Sequence, residues 1–274
     1  MRVLISADME GITGVTCPAD VEPGHARWER ARRFMMSDVN AAVAGFVEAG
    51  ATEVVVNEAH ADKRNLLLDD LDVRAQAIVG AHKRLGMMEG VAEADAAAFV
   101  GYHAGAGRQG VLAHTYLAST VVEVRVNGEA ASEGRMNAML AAELGVPVVL
   151  VTGDDLTCAD AAAWAAHAER VTVKQCVDRY TAKCFPPSRT AKLISEGAAR
   201  GLAALTPVPK PVGPFCYEIF FDVAQPVAAC SAIPCVEESG ERSVSFTLPT
   251  MLAAIRCFKA VTVLAKATVE KTFG

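Results

Sequence analysis

The chain has 274 residues, a formal net charge of −6 and a pI near 5.6; 52 % of it is hydrophobic but only 6 % aromatic. That length allows one large or two modest domains with a sizeable core, and the acidic balance gives no electrostatic reason to expect nucleic acid or an anionic membrane as a partner. No basic segment followed by an apolar one opens the chain, and apolar stretches such as VPVVLVT are too short to span a bilayer, so a cytoplasmic protein is expected.

RVLIS (2–6) is a short continuous apolar run, the pattern of a strand covered on both faces. A polar stretch follows to about Arg33. MSDVNAAVAGFVEAG then predicts a helix with Ser37 as N-cap and Gly50 as its stop. TEVVVNEAH is a second strand and DAAAFVGYH a third, with a helix-like piece around 82–94 between them. STVVEVRVNGEAAS alternates and turns at Asn127-Gly128, a strong hairpin signal. EGRMNAMLAAELG predicts a helix over about 133–144, ended by Gly145. VPVVLVTGDD is another buried strand, DLTCADAAAWAAHAE another helix and RVTVKQCV another strand. Strands alternating with helices predict an α/β fold with a mainly parallel sheet and flanking helices. The proline-dense LTPVPKPVGP (205–214) cannot continue a helix and divides the chain into an α/β catalytic region, 1–204, and a small C-terminal α+β region, 205–274, packed on it. That region holds FCYEIFF, RSVSFTL and a final helix over about 249–271. The eight cysteines form no C-x-x-C pair and read as free, buried thiols in a reducing compartment.

In SADMEG, Asp8 and Glu10 stand two positions apart just past the first strand, so in extended backbone they project the same way, above the carboxyl edge of the sheet where ligands bind in such folds. Two adjacent carboxylates stay ionised only with positive charge between them. Other elements bring partners to the same edge. VVVNEAH ends in His60, AFVGYH ends in His103, and Glu133 sits in the first turn of the helix after the hairpin. Taken singly, each has an ordinary use as a turn, cap or surface residue; together, imidazoles and carboxylates suit zinc or a similar divalent ion. Five ligands are too many for one tetrahedral zinc with an open position, but they suffice for two ions if one carboxylate bridges. Asp8, closest to the rigid strand end, is the expected bridge. Three carboxylates and one hydroxide would balance two divalent cations.

GAGRQG (105–110) also matches the G-x-G-x-x-G of dinucleotide sites, which makes a nucleotide-binding oxidoreductase the competitor from another class. The fingerprint needs a helix starting at the glycines, and the following VLAHTYLASTVVEVRV is rich in β-branched residues. The alternative use is a turned or mobile loop that carries His114 to the site.

These segments resemble the DppA-type zinc D-aminopeptidases, peptidase family M55: SADMEG (6–11), VNEAH (56–60), GYHA (101–104), GVLAHT (110–115), SEGRMNA (132–138), VTGDD (151–155) and VKQCVDRYTAKC (173–184), in the same order over nearly the whole chain. The resemblance implies two zinc ions held by Asp8, Glu10, His60, His103 and Glu133, with His114 as the additional catalytic residue. It also implies a homodecamer whose active sites face a channel open only to short peptides. One departure stands out. The family's Asn-Asp-Ser-His is here Asn57-Glu58-Ala59-His60, which leaves open how His60 is supported.

The expected activity is therefore release of an N-terminal, D- amino acid from short peptides or amino acid amides, by a metal-activated water. His114 would be an acid–base group rather than a covalent nucleophile. A zinc amidase acting on small amides, and a peptide-binding protein that keeps the metals for structure, are the remaining alternatives. Lys174, Arg179 and Lys183 are candidates to attract a peptide's terminal carboxylate, and Asp154-Asp155 for support of the site or helix capping. His25, His82 and His167 receive no role.

Overall fold

β1 (Arg2–Ala7) is buried on both faces, as a strand in the middle of a covered parallel sheet must be. Alternate side chains Val3, Ile5 and Ala7 enter one apolar cluster, while Leu4 enters another on the opposite face. The computed structural model describes residues 1–269. After β1 come α1 (Ala26–Glu48), β2 (Glu53–Glu58), β3 (Ala75–Ile78), β4 (Ala96–Val100), β5 (Val121–Val126), β6 (Glu129–Ala130) and α2 (Glu133–Glu143). The chain continues through β7 (Val148–Asp154), α3 (Asp155–Trp164), β8 (Glu169–Asp178), β9 (Thr181–Cys184) and α4 (Pro187–Ala203). It closes with β10 (Phe215–Phe221), α5 (Gln225–Cys230), β11 (Glu237–Gly240), β12 (Ser243–Leu248) and α6 (Met251–Ala267).

Seven strands form one sheet in the order β3-β2-β1-β4-β7-β8-β9, parallel throughout except for the β8–β9 hairpin. The α/β expectation with a mainly parallel sheet holds. α1 and α4 cover one face, through Met35, Val39 and Phe46 of α1 and Ile194, Ala198 and Leu202 of α4. The other face meets α2, α3, α6 and a second, antiparallel sheet in the order β11-β12-β10-β5-β6. This second sheet interleaves the chain. β5 and β6, the predicted hairpin around Asn127-Gly128, come from before residue 205, and β5 pairs with β10 from after it.

Local differences from the sequence reading have local causes. α1 begins at Ala26, not beside Ser37. Its buried stripe of Ala31, Met35, Val39, Ala42 and Phe46 runs at helical spacing through the Arg-rich start, so Ser37 lies mid-helix. The helix-like piece at 82–94 is two short 3-10 turns, Gly86–Met88 and Val91–Glu93, with Gly86 and Gly90 at positive φ. Helix α4 was not anticipated. The predicted last helix ends at Ala267; its expected final residues, 270 and 271, lie outside the described residues. All eight cysteines are free thiols, but only Cys158, Cys230 and Cys257 are buried, so the expectation of buried thiols fails for Cys184 and Cys235, which are exposed.

Candidate metal centre

The strand order places a topological switch point at β1, with β2 on one side and β4 on the other. In open parallel sheets that point opens a crevice at the carboxyl edge. Here β1 leads into Asp8 and Glu10, β2 into His60 and β4 into His103. Two glycines let the loops after β1 and β4 touch. A Cβ on Gly11 would lie 1.9 Å from the Tyr102 carbonyl oxygen, and one on Gly101, at φ +75°, would lie 2.3 Å from that of Asp8. Glu133 arrives from the first turn of α2, whose N-cap Ser132 accepts from Arg135 N. His114 arrives on the loop between β4 and β5.

All six residues converge. His60 Nδ1 lies 3.4 Å from Asp8 Oδ1 and 3.1 Å from Glu10 Oε2. His103 Nε2 lies 3.4 Å from Asp8 Oδ2 and 3.7 Å from Glu133 Oε1. His114 Nε2 lies 3.8 Å from Glu10 Oε1 and 4.0 Å from Glu133 Oε1, and its ring stacks on that of His103 with centroids 4.2 Å apart. Asp8, Glu10, His60, His103 and Glu133 are all buried.

Each imidazole is fixed the same way. His60 Nε2 donates to Val21 O at 2.9 Å, His103 Nδ1 to Ala104 O at 3.0 Å and His114 Nδ1 to Leu112 O at 2.8 Å. The opposite nitrogen of each ring is left to face the carboxylates, the orientation of a metal-ligating histidine once that nitrogen gives up any proton it carries. The donor set fits divalent metal by a second test. Asp8 Oδ2 and Glu10 Oε2 are buried and make no hydrogen bond among the described residues. Their polar neighbours are the imidazole nitrogens of His103 and His60, and carboxylate oxygens at that depth are costly unless a cation, a protonated imidazole or a metal, faces them. Asp8, Glu10 and His60 form one ligand group, Asp8, His103 and Glu133 a second, and Glu10, His103 and His114 a third.

The charges couple accordingly. Burial pushes the Asp8 carboxyl up, but His103 and His60 outweigh it and hold it well below its usual value. Burial likewise raises Glu10, and His60 brings it below its usual value. Burial dominates at Glu133, which is raised. Burial disfavours protonated His60 and His103, yet the surrounding carboxylates win: His60 is raised well above its usual value and His103 up to about 10.

Supporting residues hold these loops. Buried Lys174 donates to the carbonyls of Glu10, Ile12 and Val15 at 2.5, 2.9 and 2.7 Å, and Asp38 accepts from Thr13 N and Oγ1, both at 2.9 Å. Lys174 therefore lies beneath the β1 loop and does not reach substrate space, contrary to the carboxylate-attracting role considered for it; Lys183, on β9, does not line the cavity either, whereas Arg179 does. Asp154 both caps α3 through Thr157 N at 2.7 Å and accepts from Val111 N at 2.6 Å, tying down the loop that carries His114. Glu133 Oε1 accepts from Tyr116 N at 2.6 Å on the far side of His114. Four non-glycine residues at positive φ flank the histidines: Ala61, Lys63, Leu112 and Tyr116. Such backbone costs energy and persists where its surroundings over-determine it. Glu58, the departure before His60, accepts from Asn65 N and Nδ2, and Asn65 Nδ2 also donates to His60 O at 3.0 Å. The longer acid thus braces the backbone after β2, while Val21 O orients the ring. No helix begins at Gly105–Gly110; the next is α2, so the phosphate cradle of a dinucleotide site is missing among the described residues.

The cluster opens into a cavity of about 620 Å³. Buried carboxylates and imidazoles at the carboxyl edge of a parallel sheet, open to such a cavity, define a metallohydrolase of the α/β class. The chain belongs to the D-aminopeptidases, peptidase family M55, whose model matches residues 1–260. It is similar to the D-aminopeptidase of Bacillus subtilis (strain 168), with 32 % identity over 98 % of this chain and 99 % of that one. It is also similar to the structure of the Zn-dependent D-aminopeptidase DppA from Bacillus subtilis, a self-compartmentalizing protease. The match has a TM-score of 0.93 and 30 % identity, and covers 98 % of this chain and 100 % of that one. Among the described residues, no helix is long and apolar enough to cross a membrane.

Proposed function

We propose that this protein is a zinc aminopeptidase that removes N-terminal D-amino acids from short peptides or amino acid amides, using two zinc ions held by Asp8, Glu10, His60, His103 and Glu133. The observation that carries the reading is the position of Asp8. Its two oxygens face different imidazoles, Oδ1 towards His60 and Oδ2 towards His103, so a single carboxylate belongs to two ligand groups. Zinc so held supplies Lewis-acid polarisation of a carbonyl and a lowered pKa for water.

His114 is the proposed catalytic residue. Its Nδ1–H is fixed on Leu112 O, so Nε2 is the atom that can take a proton from the attacking water and return it to the departing amine. The loop ties from Asp154 to Val111 and from Glu133 to Tyr116 hold that nitrogen in place. Leu85, Met87, Leu117 and Ile255 supply apolar wall to the cavity, a surface against which a substrate side chain can pack. The ligands and His114 all lie within the 1–204 catalytic region, and the 205–274 region adds the wall from α6. Free thiols accord with a cytoplasmic location. Homodecameric assembly, read from the relative's self-compartmentalizing character, predicts a particle ten times the 28.8 kDa protomer mass by light scattering.

The test is a panel of D- and L-aminoacyl amides and dipeptides with zinc-loaded protein. Hydrolysis of D-substrates, abolished by a chelator and restored by zinc, with two zinc ions per chain by elemental assay, is the expected result. Cleavage confined to non-peptide amides would favour the amidase alternative, and activity that survives full removal of metal would refute the proposal.

A further inference from the structure

The cavity has a second chemical feature besides the six-residue cluster. Its other charged lining residues are Lys63, Arg179, Lys259 and Lys266 against Glu22 and Asp62. None of these four cations lies within salt-bridge distance of a carboxylate among the described residues, whereas Arg2, Arg27, Arg74, Arg125, Arg135 and Arg200 all do. Lys259 is half-buried, and its ammonium donates to one acceptor, the carbonyl of Lys83, which leaves further N–H groups for a ligand. Lys266 makes no side-chain hydrogen bond among the described residues. Both stand on α6, seven residues apart and hence on one face of the helix, at a separation of about 10.5 Å.

The order of these two lysines relative to the cluster can be traced. Phe258 packs edge-on against Tyr116 with centroids 5.0 Å apart, and Tyr116 N donates to Glu133. Ile255, one turn before Lys259, also lines the cavity. The first half of α6 is therefore its end nearest the cluster, and a chain leaving the cluster along the helix meets Lys259 before Lys266.

We infer that Lys259 and Lys266 form a recognition site for the C-terminal carboxylate of a short peptide substrate. Lys259 takes the carboxylate of the shorter peptides. Lys266 takes that of peptides about three residues longer, since extended chain advances about 3.3 Å per residue. The site selects free-acid oligopeptides over amides of the same length and over long chains, whose carboxylate lies out of reach. This inference rests on the aminopeptidase reading of the cluster.

The experiment measures kcat/KM for zinc-loaded protein on D-alanylglycine through D-alanyl-tetraglycine, each as the free acid and as the C-terminal amide. Wild-type protein should prefer the acid by about tenfold or more, the scale of a hydrogen bond between charged groups. K259M should reduce the acid-to-amide ratio on the dipeptide, and K266M on the longest peptide, chiefly through KM. The ratio should also shrink as salt is raised. K183M, on β9 outside the cavity, is the charge-matched control and should keep the wild-type ratio. Circular dichroism and zinc content show that each variant is folded and loaded. Equal rates on acid and amide in wild type, or an unchanged ratio in both α6 variants, overturn the site while leaving the aminopeptidase reading in place. Hydrolysis of neither series removes both.

Discussion

Replacing Lys174 by Met tests how the acid-bearing loop is held. Two opposing contributions are involved. Burial pushes the Lys174 ammonium down from an ordinary 10.5 to about 8. Between those values the unfolded chain binds the proton more tightly, so this group's contribution to stability rises with pH from 8 to 10.5. Below pH 8 the buried charge costs about 3 kcal/mol. Lys174→Met removes that cost, but of the three carbonyls that now accept from the ammonium it strands those of Glu10 and Val15, Ile12 O keeping its bond from Val15 N. Two unpaired buried acceptors cost roughly 1–3 kcal/mol each, about 4 kcal/mol together at mid-range, so the carbonyls win narrowly. We expect K174M to lose about 1 kcal/mol at pH 7 in urea denaturation of metal-free protein, to lose the stability gain between pH 8 and 10.5, and to bind zinc more weakly because Glu10 is no longer fixed. A variant as stable as wild type, with unchanged zinc affinity, would show that the loop needs no such clamp.

Four further outcomes follow from the same geometry. Asp8→Asn should reduce bound zinc at both positions, whereas His60→Ala should reduce it at one, as read by elemental assay and competition with a chromogenic chelator. His114→Ala should keep its zinc and lose about 10²–10⁴-fold in kcat, the range of acid–base catalysis; full activity would remove His114 from the mechanism. Gly11→Ala places a methyl group against the Tyr102 carbonyl and should cost about 3 kcal/mol, with weakened metal binding, by thermal melting and zinc assay. Asp38, raised by burial to about 6 from 3.8, makes the fold less stable as pH rises through that window, by about 3 kcal/mol. Asp38→Asn should flatten that part of the pH–stability curve.

The parts of this site that a sequence reader can see are those set by strand ends. Asp8, His60 and His103 each follow a buried apolar run, and parallel strands deliver such residues to one edge, so convergence follows from period and topology. Glu133 was visible because EGRMNAMLAAELG reads as a helix that starts there; its cap by Ser132 emerges from the fold. Residues whose role depends on tertiary contact were opaque. Lys174 sits in a strand that reads as half-exposed, and only the fold shows its ammonium passing beneath the β1 loop. Asp154 is a helix cap by pattern, and its hold on Val111 joins segments that sequence spacing does not relate. The second sheet joins 121–130 to strands more than 80 residues later, a pairing that alternation predicts in kind but not in partner. The support of His60 by Val21 O had no sequence signal, because a backbone carbonyl is present at every residue.

The metal-free cluster is not left as bare repulsion between carboxylates, and that has a measurable consequence. His60 and His103 are held as cations by the carboxylates around them, with His103 titrating near 10. Both folded values lie above the unfolded one, so their pairing stabilises the metal-free fold fully below about 6.5 and is lost as pH rises towards 10. Asp8 and Glu10 act in the opposite direction. Their lowered values contribute stability above the ordinary carboxylate range, lost as pH falls below it. The site is thus pre-folded around two protons, on His60 Nδ1 and His103 Nε2, the same atoms that face the candidate metal positions. Metal and proton must then compete. Zinc binding near pH 8 should release close to two protons per chain, measured by calorimetry in buffers of different ionisation enthalpy, and zinc affinity should fall steeply towards pH 6. Release of no protons at pH 8 would mean that the two rings are already neutral without metal, and that the carboxylate charge is balanced elsewhere in the fold.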